Sequence, residues 1–212
     1  MSEDKELTQQ ESLGIIQQMI NAAKQQQKDD GKSWIVWGWI LFAASLLTVA
    51  NLSYKWYNPF FFWNVFGMVS VFLLIAGFTK QLWSKKSAPV KTYTGELFKK
   101  LNAGFFISLW FIIIFMNIAA KQVTEWYVII NAGFALLVNL YAFWILVYGS
   151  AMNFKPSIIG AYITWAIAFV MLFMHTFEQV MLLHGLAVLC GYIIPGHIAS
   201  IQFNKLRRED KV

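Results

Sequence analysis

The sequence predicts an all-α integral membrane protein: a six-transmembrane-helix bundle in three hairpins, preceded by a short cytoplasmic amphipathic helix. Three observations carry this. Charge is scarce, with 13% charged against 58% hydrophobic residues, about half the charge of a soluble domain. The charge is also segregated, because every Asp, Glu, Lys and Arg lies in a tail, in a connection, or within about a turn of a helix end. Between them lie six apolar runs, each near the roughly 20 residues that cross about 30 Å of hydrocarbon.

Residues 1–33 form the cytoplasmic segment. Thr8-Gln9-Gln10-Glu11 has the spacing of a capping box, and Asp30-Gly31 is a stop signal. Between them Leu13, Ile16, Met19, Ile20 and Ala23 make an apolar stripe at helical spacing. The opposite face is mainly glutamine, whereas a membrane-surface helix carries Lys or Arg there. The stripe is therefore expected to dock another protein or a second copy of the chain. The segment is too polar to supply a signal-peptide core, so the first span is expected to act as the uncleaved insertion signal.

The spans are expected at Trp34–Leu52, Phe60–Leu82, Ala103–Ala120, Trp126–Tyr148, Ser157–Phe177 and Val180–Ile201. None shows a polar face at helical period, which a helix in water needs. Nor do they alternate as outer-membrane strands do. Without water in the bilayer each span must satisfy its own backbone, which selects helices. A longer inner connection, Ser84–Lys100, and a short one, Asn153–Pro156, join the hairpins, and 202–212 is a basic tail.

The basic residues set the orientation. With the amino terminus inside, fifteen of the 17 Lys and Arg fall on the inner side, leaving Lys55 and Lys121 outside. The positive-inside rule then predicts a multi-pass protein of the inner (cytoplasmic) membrane with both termini cytoplasmic. Tyr54, Trp56, Tyr57, Trp63, Trp126 and Tyr127 suit the outer interface, and Trp34, Trp37 and Trp83 the inner one. Anionic lipid explains juxtamembrane basic residues, so no nucleic-acid partner is expected.

Gly160, Thr164 and Ala168 make a small-residue packing stripe, and Gly104 with Ser108 a shorter one. Pro195 cannot donate to the carbonyl of Gly191, which predicts a kink there. Asn-Ala-Gly-Phe occurs at 102–105 and at 131–134, a match that this biased composition produces by chance. The lead helix, the six spans and the closing Gly191-Tyr192-Ile193-Ile194-Pro195-Gly196-His197 run resemble small, uncharacterised six-helix inner-membrane proteins of Bacteroidota-type bacteria. That resemblance implies fold and location and carries no activity.

No ionisable Asp, Glu, Lys or Arg lies deep in a span, which argues against ion-coupled transport. The usual nucleophile, zincin and phosphate-loop motifs are missing, so an enzyme ranks third among the readings. Cys190 is the single cysteine, which rules out an intrachain disulfide. Asn64, Asn117, Asn131 and His184 lie at one depth of the outer leaflet, with His175 and Glu178 at the rim. They line a shallow pocket or join helices by hydrogen bonds. Met171, Met174, His175, Met181 and His184 carry donors suited to copper, and imidazole suits haem. The bland alternative is apolar gap-filling by Met, and no cofactor is expected. The leading reading is a non-enzymatic membrane subunit or signalling partner. The alternative is a carrier or binder of a small neutral solute, metal ion or haem.

Overall fold

The computed structural model describes residues 31–83 and 93–209. Among these residues every regular element is helical. The elements are α1 (Lys32–Tyr54), α2 (Phe61–Trp83), α3 (Tyr93–Ala120), α4 (Trp126–Ala151), α5 (Lys155–Met171), α6 (Phe177–Val188), a π-helical turn (Leu189–Ile193) and α7 (Ile194–Glu209). The last three run end to end, so the described residues make six rods. The capping box at Thr8 and the stripe Leu13, Ile16, Met19, Ile20 and Ala23 lie outside the described residues.

Four of the rods are long and apolar enough to cross a membrane: Lys32–Tyr54, Lys100–Ala120, Trp126–Ala151 and Phe177–Lys205. Among the described residues Phe61–Leu73 and Lys155–Met171 are shorter apolar stretches, the first being part of the 23-residue α2. The expected spans fall on these helices; α4 runs on to Ala151 and the last rod to Glu209, and three further ends differ by three residues or more. First, α3 begins at Tyr93 rather than at Ala103, so residues 93–100 of the expected Ser84–Lys100 connection are helical. Second, α5 ends at Met171 rather than Phe177. Third, α6 begins at Phe177 rather than Val180. The cause of the third is Thr176, whose hydroxyl accepts from the Gln179 N–H at 3.3 Å. This N-cap makes Glu178 and Gln179 part of the first helical turn instead of the connection.

Four rods form the core. The α4–α5 hairpin is the most extensive pairing, followed by α1 with α6; α5 also meets α6 directly. α2 packs along α1 and α3 along α4, without close backbone approach between α2 and α3 among the described residues. The core carries Val138, Ile145, Met171, Val180 and Met181, all sealed from solvent.

Small residues set the close approaches. A Cβ on Gly38 would sit 2.8 Å from Ile193, and one on Gly160 would sit 2.7 Å from the Cys190 carbonyl oxygen. Thr164 and Ala168 are buried beside Gly160, so that stripe is an α5 packing face. Gly104 differs. It has open space around it and, like Ser108, is exposed, so this shorter stripe joins nothing among the described residues. The reason is that α3 turns it away from α4, which Met116 meets instead, over Gly133.

The expected interruption near Pro195 takes the form of the π turn. Ile194 N–H bonds to Leu189 O, five residues back. Pro195 has no N–H for the Gly191 or Cys190 carbonyl, and one wider turn shifts the register at that point. The hydroxyl of Thr164 turns towards the Ala187 carbonyl at 3.4 Å, and Gly160 brings the α5 backbone against Cys190. α5 therefore backs the broken helix where it most needs partners.

Candidate functional site

The polar interior begins on α1. Gly38, Leu41, Ala44, Ser45, Thr48 and Asn51 form its buried face. In an apolar helix a stripe of small and polar residues faces protein rather than lipid. Thr48 donates to the Ala44 carbonyl at 2.7 Å and Ser45 to the Leu41 carbonyl at 2.9 Å. Each hydroxyl is thus satisfied by its own helix. Asn51 closes the outer end: its amide donates to the Tyr57 and Asn58 carbonyls, and its oxygen accepts the Tyr57 N–H at 2.8 Å. One buried side chain therefore holds the α1–α2 turn.

Ser45 also meets His184 of α6, with Oγ 2.8 Å from Nδ1. The serine has one proton. With that proton on the Leu41 carbonyl, Nδ1–H donates to Oγ, and Nε2 is left as a bare lone pair. Nε2 is buried and has no hydrogen-bond partner. The imidazole stands edge-on to three rings: Trp63 of α2 at 5.1 Å, and Phe134 and Tyr141 of α4 both at 5.9 Å. Trp63 donates its indole N–H to the sulfur of Met181 at 3.1 Å. His184 and Met181 are both completely buried. Ser45 and His184 have the spacing of a nucleophile and its base, but both are sealed, and the hydroxyl proton is directed at Leu41.

Of the outer-leaflet residues expected to share a pocket, the structure brings only two inside. Asn131 is buried on α4, with Oδ1 unpaired, and His184 is buried on α6. Asn64 is exposed on α2. Asn117 is exposed on α3 and spends its amide on the Ile113 carbonyl of its own helix. His175 is exposed on the 172–176 turn, and exposed Glu178 accepts from the Ser53 hydroxyl at 3.5 Å. Equal depth along the spans did not make equal direction around them.

The metal-donor set divides likewise. Met171, Met181 and His184 are sealed in the core, Met174 is half-buried, and His175 faces outward. Among the described residues no three His, Cys, Asp or Glu side chains cluster as a metal site. Gly191 and Pro195, expected at the kink, are buried at the π turn and just after it.

Sequence reasoning passed over Ser45, Asn51 and Tyr141, and it placed Trp63 at the outer interface, whereas the ring turns towards Met181 and His184. A signal existed for the first two, because the 38-41-45-48 spacing recurs every three or four residues and ends at Asn51. For Trp63 and Tyr141 no sequence signal exists, since their roles depend on the register between α2, α4 and α6. No family model, curated protein or solved structure matches the chain.

Proposed function

We propose that the chain is a non-enzymatic, six-span subunit or signalling partner of the inner membrane, with both termini in the cytoplasm. Its amino-terminal helix docks a protein or a second copy. The observation that carries this reading is how the buried polar groups are spent. Ser45, Thr48, Ser157 and Thr164 all donate to helix carbonyls, and Asn51 ties a turn. Such groups hold a framework together rather than pass an ion or proton along it.

The segregation of Lys and Arg supports the orientation. The 17 residues of α5 span about 25 Å, close enough to the hydrocarbon thickness to count it among six spans. A second reading, as a binder of a small ligand or metal, is favoured by the unpaired Nε2 of His184.

The test is crosslinking in intact membranes. Met19→Cys is expected to yield a bismaleimide adduct with one defined partner or with itself, and Ile16→Lys with Ile20→Lys is expected to abolish it. A reporter inserted at 84–92 is expected to read as cytosolic. Lack of any adduct with the helix intact, or a reporter on the far side, overturns the proposal.

A further inference from the structure

We infer that His184 and Met181 form a buried site for a single soft monovalent cation of the copper(I) type. The inference deepens the second reading and rests on it. Three features of the imidazole point this way.

The first is its orientation. The Leu41 carbonyl, the Ser45 hydroxyl and Nδ1 form a chain, with steps of 2.9 and 2.8 Å. A metal-ligating histidine is typically held in this way, its second nitrogen donating to an oxygen so that the first presents a lone pair. With the ring proton on Nδ1, Nε2 is that lone pair; it is buried and without a partner.

The second is a soft donor beside it. Met181 lies three residues earlier on the same face of α6, which puts the two Cβ atoms about 5–6 Å apart. Both side chains border Trp63, one through sulfur and the other through its ring. The Trp63 N–H engages the Met181 sulfur from one side, leaving it further lone-pair capacity. Thioether with imidazole selects copper(I) over harder ions.

The third is charge. Among the described residues the core holds no buried Asp or Glu, so nothing there neutralises a divalent ion. Desolvation cost rises with the square of the charge, so a monovalent ion meets about a quarter of the penalty of a divalent one in an apolar interior. The rings of Trp63, Phe134 and Tyr141 surround the imidazole, and aromatic rings attract cations. The same rings, at 5.1–5.9 Å, crowd the imidazole too closely for a haem macrocycle. Half-buried Met174 and exposed His175 stand on the turn leading into α6, where an ion arriving from the outer side would meet them.

The experiment uses the full chain purified in detergent under anaerobic, reducing conditions, titrated with copper(I) against a chromogenic copper(I) chelator. One equivalent is expected to bind, quenching Trp63 fluorescence. Met181→Leu, nearly isosteric, is expected to weaken binding at least tenfold, and His184→Gln at least a hundredfold. His175→Ala is expected to leave the equilibrium within threefold. X-ray absorption of the loaded protein is expected to show both nitrogen and sulfur neighbours.

Binding that neither Met181→Leu nor His184→Gln alters overturns the proposal, as does equal affinity for zinc(II). If His184→Gln unfolds, Met181→Leu decides alone. The nitrogen NMR shifts of His184 separate this proposal from the reading beneath it. A blank titration with Nε2 proton-free overturns copper but leaves a binding nitrogen, whereas a blank titration with Nε2 protonated removes both.

Discussion

Asn-Ala-Gly-Phe occurs twice, and its two copies live in opposite surroundings. At 131–134, in α4, Asn131, Gly133 and Phe134 are buried, Met116 of α3 presses on Gly133, and Phe134 touches Trp63, Phe177 and His184. At 102–105, in α3, the first three residues are exposed, and Gly104 has no atom within reach of a Cβ. The helices as wholes differ in the same way. Within the most apolar window of each, 56% of the Trp126–Ala151 stretch is buried by protein, against 6% of Lys100–Ala120. Both stretches are apolar enough for the bilayer. What separates them is that, among the described residues, α4 has α3, α5 and α6 as neighbours, whereas α3 has α4 alone. Apolar composition therefore reports the solvent a helix tolerates, and packing reports which protein surface it has found.

The sharpest way to break this comparison is to remove the aromatic ring from each copy. Phe134→Ala empties the centre of the cluster around His184 and is expected to cost about 3 kcal/mol. Phe105 is half-buried between Tyr141 and Trp144, at 6.4 and 5.4 Å. Phe105→Ala is expected to cost about 1 kcal/mol, the scale of an aromatic pair. Unfolding of the detergent-solubilised protein by thermal melt or SDS titration measures both. Equal losses would mean that α3 is as integral to the core as α4.

The glycines come next. Gly133→Val drives a branched side chain into Met116 and is expected to destabilise by about 1–3 kcal/mol, with Met116→Ala restoring part of the loss. Gly104→Val is expected to change stability by no more than about 0.5 kcal/mol. A large loss at Gly104 would show that its open face carries a partner, such as a second copy, in the membrane.

The same contrast explains what the sequence disclosed. The helices themselves were legible, because a span must be an apolar run of set length with its charges at the ends; α1, α2 and α4 lie where those runs predict. Helix ends were less legible, and at α6 the Thr176 cap sets the start three residues before the expected one. The direction of each face was not legible. In a helix apolar on all sides, hydrophobicity cannot mark the inward side, so Asn64 and Asn117 point out of the bundle while Asn131 points in. The exceptions were α5, whose Gly160, Thr164 and Ala168 stripe is buried as expected, and α1, whose small and polar residues mark a buried face that went unread. His184 was legible as a lone imidazole in a span. Its setting was not, because Ser45, Trp63, Phe134 and Tyr141 come from three other helices.

The asparagines give the smallest and most diagnostic difference. Asn131 hides an oxygen with no hydrogen-bond partner, so Asn131→Leu removes a desolvated acceptor without breaking a bond to it. A substitution of that kind is neutral or favourable, and stability is expected to hold or rise by up to about 1 kcal/mol. Asn102→Leu, at an exposed position, is expected to stay within about 0.5 kcal/mol of the parent. The informative failure lies at Asn131. A loss beyond about 1 kcal/mol there would mean that the oxygen is occupied in the membrane by a water or a small ligand, one helix across from the bare nitrogen of His184. The two unpaired acceptors would then belong to one site. Asn131 would no longer be an ordinary core position, and the distinction between α4 and α3 would be one of function as well as of packing.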